Sequence, residues 1–119
     1  MIKIKEGVKF DIVAPSGAMI LQTIKSCAKF HSCDLTITSG TDGKHSGEND
    51  PHHRGEAYDI RSHDLLQKDS VLEYISQQLG SNFYAFIEDR DKLNEHIHIQ
   101  IRKGLLFDPI KFLTNQEMT

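Results

Sequence analysis

Two short stretches hold the side chains best suited to chemistry: His52-His53-Arg54-Gly55-Glu56-Ala57-Tyr58-Asp59 and, downstream, Glu95-His96-Ile97-His98. Two imidazoles and a carboxylate can hold a zinc ion through three protein ligands, with the fourth position left to water. His52, Asp59 and His98 are the candidate ligands. Water in that position has its pKa lowered toward about 7. Glu95 stands three residues before His98 and is the candidate general base, taking a proton from that water and passing it to a leaving amine. His96 is placed to donate a hydrogen bond to a developing oxyanion, and His45 is a further candidate for the same pocket. Such a set suits metal-assisted hydrolysis of an amide. Seven histidines occur in 119 residues, six of them from His45 to His98, which marks the same region of the chain. His31 and His63 read as surface histidines.

For these side chains to meet, strands must present them on one face. Residues 57–61 read as a strand in which Tyr58 and Ile60 face the core while Ala57, Asp59 and Arg61 face a cleft. Ile97, Ile99 and Ile101 alternate with His96, His98, Gln100 and Arg102, which predicts a strand with one face on the core and one open. Asp59 and His98 can then share a face, and His52 can reach in from the preceding loop. In an unbroken strand Glu95 would point away from His98, so it must lie in the turn before the strand or on a bulge. Gly55 suits a close approach of backbone to the site, and Ala57 leaves room beside a metal. Residues 39–54 form a polar stretch longer than the about 12–15 residues beyond which loops are usually functional or disordered. Because it ends on the proposed ligands, a functional loop is expected.

The remaining elements are ordinary. Residues 1–13 alternate like one or two short strands, with Gly7 as a break, and Pro15-Ser16-Gly17 reads as a turn. Ile20, Leu21, Ile24, Cys27 and Ala28 fall at helical spacing, and Leu35–Thr38 reads as a strand. Asp69 can cap a helix carrying Leu72, Ile75 and Leu79, ended by Gly80. Asn82 to Glu88 offers another strand, with Tyr58, Phe83 and Phe86 read as core, and 105–113 a closing strand or helix. Together these predict a single small α+β domain over residues 1–119, an antiparallel sheet flanked by helices.

Bulk properties narrow the function. Net charge is −3 and the basic residues are scattered, which argues against a nucleic-acid surface. No apolar run approaches the roughly 20 residues of a membrane span. Met1-Ile2-Lys3-Ile4-Lys5 has no signal-peptide character, so synthesis in the cytoplasm without an export signal is expected. Cys27 and Cys33 lack zinc-knuckle spacing and read as reduced, structural thiols. Arg54 and Arg61 stand near the site as charge partners or substrate clamps.

The two motifs resemble those of the zinc peptidases grouped with D-Ala-D-Ala carboxypeptidases, L-alanyl-D-glutamate endopeptidases and the hedgehog signalling domain. That family carries H-x-x-G-x-A-x-D and, downstream, an acid three before the last ligand histidine in its peptidase branch. This chain reads His52-x-x-Gly55-x-Ala57-x-Asp59 and Glu95-His96-x-His98. The resemblance implies a hedgehog/D,D-peptidase-like fold and zinc on His52, Asp59 and His98, His52 rather than His53 because the motif counts seven residues back from Asp59. It implies Glu95 as general base and His96 as stabiliser of the transition state. Thr38-Ser39-Gly40 matches the family's S-G turn, which adds Ser39 to His45 and Arg54 as substrate-side candidates. Where many members have a basic or amide side chain to polarise the substrate carbonyl, this chain has Asp42. Short members without export signals are typical of phages and prophages, so the implied substrate is the peptide stem of peptidoglycan, reached after release to the wall or from a virion. Two other functions fit the same residues: a non-catalytic zinc module used for recognition or as a virion part, and hydrolysis of a small cytoplasmic amide.

Overall fold

The computed structural model describes residues 1–43, 50–103 and 110. Along the chain run β1 (Ile2–Ile4), α1 (Pro15–Phe30), β2 (Leu35–Ser39), β3 (Ala57–Arg61), α2 (Lys68–Leu79), β4 (Phe83–Glu88) and β5 (His96–Ile101). The strands form one sheet in the order β1-β2-β3-β5-β4. The sheet is mixed rather than antiparallel, because β1 pairs parallel with β2 while every other pairing is antiparallel. The cause is the connection: α1 lies between β1 and β2, and a helical crossover carries the chain back to begin the next strand at the same end. With this one change the α+β class holds.

Period-two alternation sorts the side chains as the sequence predicts. Tyr58 and Ile60 of β3 and Ile97, Ile99 and Ile101 of β5 are buried in one cluster with Ile20, Ile24 and Cys27 of α1 and Val71, Ile75 and Leu79 of α2. Both helices therefore cover the same face: α1 packs against β3 and β5, and α2 against β4. The register lines up the opposite face as a grid. Asp59 is paired with His98 and Arg61 with His96 across β3 and β5, while Phe86 faces His98 and Glu88 faces His96 across β4 and β5. Phe83 and Tyr58 are core, as expected, but Phe86 is not; it is 39% exposed on the grid face, because parity from Phe83 turns it away from the helices.

Helix boundaries differ in detail. Pro15 is the first residue of α1 instead of a turn residue, as suits a side chain with fixed φ and no N–H to satisfy. Asp69 lies in the first turn of α2, whose N-cap is Gln67; Gly80 ends the helix as predicted, at φ 81°. Only β1 is a strand within residues 1–13. The closing element expected at 105–113 falls outside the described residues, apart from Ile110. Cys27 and Cys33 are both free, and burial pushes the Cys27 thiol up to about 12. No described helix is long and apolar enough to cross a membrane.

Candidate metal centre

The grid face brings three of the predicted side chains together. His52, Asp59 and His98 each turn a ligand atom inward, and these atoms all lie within 4.8 Å of one another. Asp59 Oδ1 is 2.8 Å from His98 Nδ1 and 3.4 Å from His52 Nε2. Strand pairing explains the first contact, since Asp59 and His98 are direct register partners. The second depends on the turn between Asp50 and Glu56. There the His52 N–H donates to Asp50 Oδ1, the Gly55 N–H to the His52 carbonyl and the Glu56 N–H to the Pro51 carbonyl.

Each histidine is oriented from behind. His52 Nδ1 lies 3.1 Å from the Gly40 carbonyl, which can only accept, so Nδ1 donates there and Nε2 is the atom turned toward the cluster. His98 Nε2 lies 2.7 Å from Gln100 Oε1, while Gln100 Nε2 donates to the Ile101 carbonyl at 3.1 Å. That second bond turns the amide so that its oxygen faces His98. Nε2 of His98 therefore donates to Gln100, while Nδ1 points inward and donates to the Asp59 carboxylate; that inward proton is the one a metal would displace. Such outer partners fix tautomer and ring orientation in metal-binding histidines.

Electrostatics agree with the geometry. Burial acts to raise the Asp59 pKa, but hydrogen bonds and charge from His52 and His98 outweigh it and hold the carboxylate well below its usual range. For His98, burial acts to lower the pKa; the bonds to Asp59 and Gln100 prevail and raise it. Once a metal displaces the inward proton, two imidazole nitrogens and one carboxylate oxygen match the N/O donor set of a divalent zinc-like ion. The residues present fit the metal that the sequence implies.

Asp42, out of place as a polarising group, has a structural task. Its Oδ1 accepts from the Gly40 N–H at 2.8 Å and the Lys9 N–H at 3.1 Å. It thereby holds the turn whose carbonyl holds His52. The sequence marks the Ser39-Gly40 turn and Asp42 but not their task of holding His52, and it does not single out Gln100. Gln100 reads there only as another polar residue on an alternating strand, and nothing in residue type marks a backbone carbonyl as a histidine acceptor.

Other predicted residues are placed differently. Glu95 does lie in the turn just before β5, but its carboxylate is engaged by residues other than the three ligands. Oε1 accepts from Ser62 Oγ at 2.8 Å, and Oε2 from Lys68 Nζ at 2.9 Å and the Asp91 N–H at 2.8 Å. The Asp91 N–H, Lys68 and Ser62 together bring its pKa down to about 2. His96 Nδ1 donates to the Asn94 carbonyl at 2.8 Å, and Nε2 is 3.0 Å from Glu88 Oε1 and 3.8 Å from Asp59 Oδ2. Arg54 pairs with Glu56, so it serves as a charge partner. Ser39, the register partner of Asp59, borders a cleft of about 430 Å³ together with Asp59, Arg61, Glu95 and His96. His45 lies outside the described residues. Gly55 makes its close approach to the chain at Ile12 and to α1 at Gly17, not to the metal position.

No protein-family model matches this chain, no curated protein matches it, and no solved structure matches it. Fold and site together define a small α+β domain with a His-Asp-His cluster that could bind a metal ion.

Proposed function

We propose that the protein is a zinc-dependent peptidase that hydrolyses an amide bond in the peptide stem of peptidoglycan. One observation carries the reading: the inward-facing atoms of His52, Asp59 and His98, each histidine ring oriented from behind by an oxygen acceptor, meet beside an open cleft. The motif resemblance supplies the substrate class. When bound, the metal supplies Lewis acidity toward a carbonyl and lowers the pKa of water. The chain's own residues do the rest. His52, Asp59 and His98 hold the position, and His96 faces the same cleft with its ring held by Asn94 and Glu88. Glu95 borders that cleft and is the group assigned to receive the proton at a carboxylate oxygen. It does so by exchanging its bond to Ser62 for one to water.

A second reading is favoured by the engagement of Glu95. A carboxylate held by Lys68, Ser62 and a backbone N–H with a pKa of about 2 is a weak base as it stands. A recognition or virion module that keeps its metal has no use for a free base. Mass spectrometry of peptidoglycan fragments, released by zinc-loaded protein and by its Glu95→Gln variant, separates the two. The peptidase reading expects new stem-peptide termini from the parent and a loss of at least about 100-fold in the variant, the scale of general-base catalysis, with zinc still bound. No cleavage by zinc-loaded parent protein would overturn the peptidoglycan reading and leave the recognition module or a different amide substrate.

A further inference from the structure

The cleft beside the metal centre has a charge pattern that the ligands do not explain. Lys5, Arg61 and His63 border it together with Asp59, Glu95 and His96. Both carboxylates are already engaged, Asp59 by the two ligand histidines and Glu95 by Lys68. Among the described residues, by contrast, the side chains of Lys5 and Arg61 have no hydrogen-bond or ion-pair partner. Arg61 also borders a neighbouring cleft that carries Asp34 and Asp64, but neither lies within ion-pair distance of it, and Asp34 is taken by Lys3 and the N-terminal amine. Elsewhere Arg54, Lys68 and Arg90 are all paired with carboxylates. Arg61 is half-buried, so its guanidinium is held beside the cleft without the carboxylate that would normally accompany it.

We infer that Arg61 and Lys5 form an anion subsite that takes a carboxylate of the substrate within two residues of the scissile amide. The inference rests on the peptidase reading for the word substrate; the anion subsite itself rests on the cleft. Arg61 follows Asp59 by two residues on the same strand face, a step of about 6.6 Å at strand rise. That matches about two residues of extended peptide between a carbonyl at the metal position and a carboxylate on the guanidinium. A planar guanidinium binds a carboxylate through two parallel N–H bonds, and the exposed Lys5 ammonium adds a point charge at the rim. Two permanent cations above a floor that already holds Asp59 suit a single negative charge.

The test titrates the full-length protein, zinc-free and zinc-loaded, with N-acetylglycine and with its neutral amide, followed by NMR at the Arg61 Nε–H. The acid is expected to bind about tenfold more tightly than the amide in both metal states, as hydrogen bonds to a charged group require. Arg61→Gln and the exposed, structurally mild Lys5→Gln should each erase most of that preference while zinc affinity stays within about twofold of the parent. Equal binding of acid and amide, or an unchanged preference in both variants, overturns the subsite. Stem-peptide cleavage that ignores the charge next to the scissile bond removes the subsite and leaves the peptidase. Acid preference in a protein that cuts nothing removes the peptidase and leaves the subsite.

Discussion

At the scale of single residues, the metal centre depends as much on what stands behind the histidines as on the histidines. Gln100 is 4% exposed, and its amide is aligned by the Ile101 carbonyl so that the oxygen receives the His98 Nε2 proton. Without that acceptor nothing favours Nε2 as the seat of the ring proton when Nδ1 has to be bare for a metal, and the ring loses the contact that fixes its orientation. Gln100→Leu, close in volume, should therefore weaken zinc binding by about 10- to 100-fold, the usual cost of removing an outer-shell partner. Competition with a chromophoric chelator reads the affinity. An unchanged affinity would mean that Gln100 does not position His98.

At the scale of elements, the ligand loop is seated by a contact between glycines. Gly55 sits at φ 69°, and a Cβ there would lie 2.1 Å from the Ile12 carbonyl oxygen. A Cβ on Gly17, in the first turn of α1, would lie 2.0 Å from the Gly55 carbonyl oxygen. The Ala14 N–H donates to that same oxygen at 3.2 Å, so the helix start and the His52 turn are tied together. Gly55→Ala should destabilise the fold by at least about 1–3 kcal/mol, since it adds left-handed strain to a backbone clash. It should also lower zinc affinity, because the Gly55 N–H bonds the His52 carbonyl. Urea unfolding of the metal-free protein checks the first effect and chelator competition the second; a stable variant that binds zinc poorly would assign Gly55 to the site alone. The motif glycine was readable as a tight approach. Its partner was not, because Gly17 lies 38 positions earlier and only the packing of α1 brings it near.

At the scale of the whole molecule, Glu95 fastens three parts of the chain. Ser62 follows β3, Lys68 begins α2 and Asp91 belongs to the turn between β4 and β5; all three converge on one buried carboxylate. A carboxyl group whose pKa falls from about 4.3 in the unfolded chain to about 2 in the folded one stabilises the fold above the higher value. That stabilisation is lost as pH falls through the lower one. Unfolding measured from pH 7 down to pH 2 should therefore show an acid limb between about pH 4 and 2 that Glu95→Gln makes shallower, Asp59 still contributing to it, the variant being less stable than the parent at neutral pH. If the variant's acid limb parallels the parent's, Glu95 is not the group that titrates. The same network explains why an acid next to a ligand motif need not be free: its neighbours are chosen by the ends of α2 and β3, not by its distance in sequence from His98.

Much of this was open to reading along the chain, because alternation and residue type are local properties. Period two in Ile97, Ile99 and Ile101 placed His98 on an open face, and the same rule put Asp59 opposite the core side of β3. What the chain alone left unsettled is what depends on contacts between distant segments. The parallel pairing of β1 follows from where α1 carries the chain, and the exposure of Phe86 from which face the helices cover. The rings of His52 and His98 are oriented by Gly40 and Gln100, and Glu95 is held by Lys68 from α2. Spacing decides which side chains share a face; only the packing of helices and turns on that sheet decides which of them are hydrogen-bonded, charged and free to react.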